Sequence, residues 1–144
     1  VPVFTGIGGG TTQGKRVIHM GQFAEMQGAC GVVVNAPTQN LTVRRLRDEL
    51  DIPVIVTCLQ SSGVAERLIA GASVLNVAAG KDTPRVVEEI RSQYPNVPII
   101  ASGGPTGESI SATIRAGANA ITWTPPSSGE VFQRLMNTYR ENAK

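Results

Sequence analysis

The chain has 144 residues, enough for one well-buried domain and short for two. Hydrophobic residues make up 41% of it but never run unbroken for eighteen positions, so no membrane span is expected. The net charge is only +2, and the one basic cluster, Arg44-Arg45-Leu46-Arg47, is followed by Asp48, Glu49 and Asp51, which reads as a solvated helix face and excludes a nucleic-acid partner.

In chain order, the first strand is expected at Val1–Thr5, opening on Val1-Pro2-Val3. A Gly-rich loop follows, then a helix over Arg16–Gln27 with Val17, Met20, Phe23, Ala24 and Met26 as its apolar residues. Gly28-Ala29 leads into a strand at Gly31–Asn35, and Thr42–Leu50 places Val43, Leu46 and Leu50 on one helical face. Ile52-Pro53-Val54 opens a strand at Pro53–Thr57, and Gly71-Ala72 precedes one at Val74–Val77. Thr83-Pro84 reads as an N-cap followed by proline at the first helical position, for a helix through Arg91. Val97-Pro98-Ile99 opens a strand at Ile99–Ser102, and a helix starts near Gly107. Gly117-Ala118 precedes the last strand, Ala120–Trp123. Ser127-Ser128-Gly129-Glu130 has the spacing of a capping box for a helix carrying Val131, Leu135 and Tyr139.

The strands therefore open alternately on a hydrophobic-Pro-hydrophobic triplet and on Gly-Ala. Pro53 and Pro98 lie 45 residues apart, and Gly71 and Gly117 lie 46 apart. Such a βαβα period is a quarter of a parallel α/β barrel. The strands are continuous Val/Ile runs, which suits parallel strands buried on both faces. An open doubly wound sheet is the other architecture six βα units could build. The repeat favours a TIM-type (β/α) barrel, with residues 1–144 as one domain holding six of eight units and the N-terminal quarter absent. The chain starts inside a strand, as a processed or truncated product would. Open sheet edges would then be covered by the missing segment or by homo-oligomer formation.

Ligands bind at the carboxyl ends of strands in either architecture. Gly9-Gly10-Thr11-Thr12-Gln13-Gly14-Lys15 fits a phosphate-loop spacing, but Arg16 stands where a magnesium-binding Ser or Thr is required. The loop reads instead as a flexible mouth segment, with Gly8 and Gly9 able to approach a ligand. Ser102-Gly103-Gly104-Pro105-Thr106 joins a strand to a helix start and is the better anion signal: Gly103, Gly104 and Thr106 would bind the anion, with Thr124 and Ser127 opposite. Thr5, Asn35, Asn76 and Lys81 are placed to orient the reacting part, with Gln60 a further neutral hydrogen-bonder, and Asp82 and Glu108 are the carboxylates near the mouth. Lys81, Asp82 and Asn35 are the catalytic candidates. Cys58 reads as a small buried thiol and His19 as a helix-surface or helix–sheet packing residue. The two cysteines lack metal-ligand or disulfide spacing, so no metal site is expected and a reducing cytoplasm is the expected compartment. No cofactor is evident.

The segment "IIASGGPTGESISATIRAGANAITW" resembles the end of phosphate-binding TIM barrels, where "PIIAxGGI…A…AGAxAV" spans strands seven and eight. Related patterns occur in ribulose-phosphate-binding barrels, thiazole synthase and IMP dehydrogenase. The resemblance implies a phosphate anchor and an enzyme of the lyase or isomerase class acting on a small anionic metabolite. Thr124-Pro125-Pro126 departs from the usual Gly-Ser turn there. "VPVFTGIGGGTT…FAEMQGACGVVVNAP" is similar to strands three and four of the dihydrodipicolinate synthase and N-acetylneuraminate lyase family. That likeness implies a Schiff-base lysine and a proton-transferring tyrosine, but Pro53–Cys58 has no Tyr and Val74–Val77 no Lys, leaving Lys81 in the following loop. A third reading is a barrel that senses a phospho-metabolite without turnover.

Overall fold

The computed structural model describes residues 1–10, 12–124 and 126–142. The hydrophobic runs form six strands: β1 (Phe4–Gly8), β2 (Gly31–Val34), β3 (Val54–Cys58), β4 (Val74–Val77), β5 (Ile99–Ser102) and β6 (Ala120–Thr122). Helices α1 (Lys15–Met26), α2 (Asn40–Glu49), α3 (Val64–Ala70), α4 (Thr83–Gln93), α5 (Gly107–Arg115) and α6 (Ser128–Asn142) follow them in turn, with a 3-10 turn at Gly80–Asp82 before α4. All five strand pairings are parallel, and the sheet order is β1-β2-β3-β4-β5-β6. A doubly wound sheet would reverse direction at a switch point. The strictly sequential order is that of a barrel, here a curled sheet of six βα units with β1 and β6 at its edges.

Alternation along the strands separates two faces. Val32, Val34, Val54, Val56, Leu75, Val77, Ile99 and Ala101 are buried and share one core with Val17, Val43, Leu46, Val86, Val87 and Ile90 of the helices. Burying each such side chain fully contributes roughly 1.5–3 kcal/mol, so this sheet–helix seam is the main source of stability. The intervening residues line the concave face. Ile55 is fully buried yet stands apart from the sheet–helix core, and it is in register with Val33 and Val74. Nearer the carboxyl ends this face turns polar, with Thr57 beside Asn76 and Ser102 beside Thr122.

The first strand differs from expectation. It runs Phe4–Gly8, three residues beyond Val1–Thr5, because Phe4 pairs with Gly31 and the glycines at 6 and 8 continue the ladder through a register shift. Val3 contributes only its carbonyl, accepting from the Cys30 amide at 2.7 Å. The start of α4 is also rearranged. Asp82 is the N-cap, while the Thr83 hydroxyl reaches back to accept from the Ala79 amide at 3.0 Å. The 3-10 turn runs straight into the helix and displaces the cap by one residue. The α6 capping box forms as the spacing predicts: the Ser127 amide and hydroxyl donate to Glu130 Oε2 at 2.7 and 2.8 Å, and the Glu130 amide donates to Ser127 Oγ at 3.3 Å.

Candidate functional site

At the carboxyl ends of β5 and β6 the structure forms a cleft of about 520 Å³ lined by Ser102, Gly104, Thr122, Trp123, Thr124 and Arg134, with Glu130 beside them. Of the residues expected to hold an anion, Gly104 and Thr124 line this cleft. Gly103 serves the fold instead: its amide donates to the Thr122 carbonyl at 3.1 Å, extending the β5–β6 ladder. A Cβ there would also meet Ile121 Cγ2 at 2.5 Å and Ile110 Cγ1 at 2.8 Å. Thr106 is the N-cap of α5. Its Oγ1 accepts from the Ser109 amide at 3.1 Å, and its own amide donates to Ser109 Oγ at 3.2 Å. Ser127 is committed to its box with Glu130. Thr124 stands at the cleft, but the Pro125 of the Thr124-Pro125-Pro126 departure lies outside the described residues, as does Thr11 of the Gly-rich loop.

The electrostatics of this cleft are mixed. Arg134, which the sequence reading passed over, brings the cation. Glu130 brings a carboxylate held below its ordinary range by the Ser127 hydroxyl, then by the Ser127 amide and less by Arg134. An anion here would rely on Arg134, the Gly104 backbone and the dipole of α5 against that carboxylate.

A second, larger cleft of about 850 Å³ lies between the loops that follow β2 and β3, lined in part by Thr38, Asn40, Thr57, Cys58, Gln60 and Glu66. Its wall is built by Arg67 of α3. One guanidinium nitrogen donates to the Thr38 carbonyl and to Asn40 Oδ1, and the other to the Ala36 carbonyl at 2.6 Å. Burial pushes the Cys58 thiol above its ordinary value, against a smaller downward pull from Arg67, which is the profile of an unreactive thiol. Between the clefts, Asn76 Nδ2 donates to Thr57 Oγ1 at 3.1 Å, while Asn76 Oδ1 is buried without a partner among the described residues.

The catalytic candidates do not gather at one point. Asn35 Oδ1 accepts from the Gly10 amide at 2.6 Å and from Thr38 Oγ1 at 3.0 Å, so it ties the first two loops together. Gly9 sits in the left-handed region with φ +98°, packed so closely on Thr38 that no side chain fits. The Gly8 carbonyl accepts from the Asn35 amide at 3.0 Å. Lys81 and Asp82 are exposed on the 3-10 turn after β4. Thr5 is corrected: it pairs with Val32 in mid-strand and lines an outer groove, because β1 ends at Gly8. Glu108 stands in the first turn of α5, where its charge suits the helix dipole. His19 is exposed on α1. Among the described residues, no group of three or more His, Cys, Asp or Glu side chains is placed to hold a metal ion.

No family model and no curated protein matches the chain. Solved structures do. A phosphoenolpyruvate phosphomutase from Streptomyces platensis subsp. rosaceus is similar over 98% of this chain and 61% of its own, at 16% identity and a TM-score of 0.69. A proposed phosphonomutase from Burkholderia cenocepacia J2315 is similar over 99% and 70%, at 12% identity and 0.70. An N-acetylneuraminate lyase from Mycoplasma synoviae is similar over 84% and 44%, at 13% identity and 0.68. The chain thus spans 61% of the phosphomutase and under half of the lyase. At such identities the likeness is one of fold, and it agrees with the sheet order: the described residues build six βα units of a TIM-type barrel.

Proposed function

We propose that the chain belongs to a TIM-type barrel enzyme of the lyase or isomerase class, and that a small anionic metabolite is held at the carboxyl ends of β5 and β6. The observation that carries the reading is the cleft that brings Gly104, Thr124 and Arg134 together beside the N-terminus of α5. Arg134 supplies the counter-charge and the Gly104 backbone allows close approach. The neutral wall of Ser102, Thr122, Thr57 and Asn76 would orient the uncharged body of the ligand. The reaction class is drawn from the phosphomutase and lyase neighbours and from the resemblance of the Gly103–Gly104 segment to phosphate-binding barrels. A phosphate is the preferred anion for the same reason.

Thermal unfolding in inorganic phosphate, against chloride at equal ionic strength, tests the anion site. Phosphate should raise Tm, and Arg134→Ala should remove most of that rise. Equal Tm in both salts would sink the reading. Turnover of a stabilising sugar phosphate would then separate an enzyme from a non-catalytic sensor.

The likeness to the neuraminate lyase favours a second reading, a Schiff base through Lys81, with Asp82 next to it in sequence. Lys81 is exposed, and a nucleophilic lysine needs an apolar or cationic surrounding to lower its pKa. Borohydride treatment with a 2-oxo acid should label Lys81 if this route operates. An unlabelled protein rejects it.

A further inference from the structure

The β5–β6 cleft holds two opposite charges that do not meet. Glu130 and Arg134 both line it and lie four residues apart on α6, an order and spacing that favours a pair between them. Yet the ion pairs among the described residues are Arg47–Asp48 and Arg85–Glu89, and the Arg134 guanidinium donates to no acceptor among those residues. The capping box is the reason. Ser127 donates its amide and its hydroxyl to Glu130 Oε2, which holds the carboxylate at the start of the helix. The other oxygen, Oε1, accepts no bond among the described residues. The cleft therefore presents a free guanidinium beside a half-used carboxylate.

A simple anion is attracted by the first group and repelled by the second. Protonation does not relieve the repulsion at neutral pH, because the Ser127 hydroxyl and amide hold Glu130 below the ordinary carboxylate range. A ligand with a cation of its own turns that cost into a gain. Trp123 adds to the same effect: it is 56% exposed and lines the cleft with Pro105 and Pro126. An aromatic face near a carboxylate suits an organic ammonium, which gains cation–π attraction as well as charge. Side chains four apart on a helix have Cβ atoms about 5–6 Å apart, so a ligand that meets both must carry its charges on neighbouring groups. A cleft of about 520 Å³ has room for a small metabolite of that kind.

We infer that the β5–β6 cleft takes a short zwitterion, a phosphate ester joined through a two-carbon link to an ammonium group. The phosphate faces Arg134 and the Gly104 backbone, and the ammonium is held by Glu130 and Trp123. This rests on the anion site proposed above and names the class of ligand that the site selects.

Titration calorimetry of the 144-residue chain with phosphoethanolamine and with ethyl phosphate, at equal ionic strength, tests the inference. Phosphoethanolamine should bind about tenfold more tightly. Trp123 is the one tryptophan of the chain, so its fluorescence should change in step with that binding. Glu130→Gln keeps the cap, since glutamine also serves in a capping box, and removes the charge. It should weaken phosphoethanolamine several-fold and tighten ethyl phosphate, whereas Arg134→Ala should weaken both. Trp123→Leu should weaken phosphoethanolamine alone. Equal affinity for the two esters, with Arg134→Ala weakening both, overturns the zwitterion inference and leaves the anion site standing. So does a preference that survives undiminished in both Glu130→Gln and Trp123→Leu. Binding of neither ester overturns the anion site and the inference together.

Discussion

Asn35 holds Gly10 across 25 residues of sequence: its side-chain oxygen accepts the Gly10 amide at 2.6 Å and the Thr38 hydroxyl at 3.0 Å. A polar residue at the end of a barrel strand invites a catalytic reading, yet both bonds are spent on joining the loop after β1 to the loop after β2. Asn35→Ala leaves two part-buried donors unpaired and should destabilise the chain by about 2 kcal/mol. Asn35→Asp keeps the acceptor and should lose much less. Equal losses in chemical denaturation would show that the acceptor is not what matters.

Arg91 plays a comparable part at the opposite end of the sheet. Its guanidinium donates to the carbonyls of Pro95 at 2.7 Å, Val97 at 2.9 Å and Gly117 at 2.8 Å, and to Asn119 Oδ1 at 2.8 Å. Asn119 Oδ1 also accepts from the Ile99 amide, so one cation fixes the entrances to β5 and β6 together. Arg91→Ala should cost roughly 2–3 kcal/mol. Arg91→Lys should recover less than half, because an ammonium cannot span four acceptors in one plane. Full rescue by lysine in urea unfolding would refute the clamp.

These two residues also mark where sequence reading stops. The Val/Ile runs, the Pro and Gly-Ala openers and the Ser127–Glu130 box are local patterns, and the fold followed from them because each records a local constraint on the backbone. The contacts of Arg67, of Arg91 with Gly117 and Asn119, and of Asn35 with Gly10 join residues more than twenty positions apart, and their sequence neighbourhoods carry no trace of them. The Thr106–Ser109 box was missed because serine takes the place of the expected Glu or Gln. Gly103 read as an anion ligand because a glycine signals close approach without saying to what, and the approach is to Ile110 and Ile121. Arg134 lies one turn beyond Glu130 on a helix read only for its apolar face. Its approach to Gly104 is purely tertiary.

The paired glycines after β5 should fail for different reasons when substituted. Gly103→Ala drives a Cβ into Ile121 and Ile110, an overpacking cost of about 1–3 kcal/mol. Truncating Ile121 to Ala should relieve part of it. Gly104 has φ +76°, a conformation L residues seldom adopt, so Gly104→Ala should be destabilising whatever stands at 121. A double-mutant cycle reads this directly: coupling to Ile121→Ala is expected for position 103 and not for 104.

The two thiols should differ sharply in reactivity. Cys30 is exposed, whereas Cys58 is buried and its thiol is raised by that burial. A disulfide reagent near pH 8 should modify one thiol quickly in the folded chain and both in urea. The linkage has a sign. A thiol raised in the folded state ionises first in the unfolded chain, so Cys58 should cost stability as pH rises past the ordinary thiol range. Cys58→Ala should flatten that alkaline decline, and rapid labelling of Cys58 in the native protein would contradict the burial.

Glu130 should show the opposite dependence at acid pH. Its carboxylate is held below the ordinary range first by the Ser127 hydroxyl, then by the Ser127 amide and last by Arg134. The folded-state value is therefore the lower one. The contribution to the first turn of α6 is complete above the ordinary glutamate range and disappears as pH falls through the depressed value. Side-chain carbonyl shifts followed by NMR should place Glu130 below the ordinary glutamate range. Ser127→Ala removes the largest cause and should move Glu130 back toward an ordinary glutamate, fraying α6 at a higher pH than in the parent chain. A Glu130 titration unmoved by that substitution would mean that the box does not hold in solution, and with it would go the N-terminal anchoring of α6 that brings Arg134 to the β5–β6 cleft.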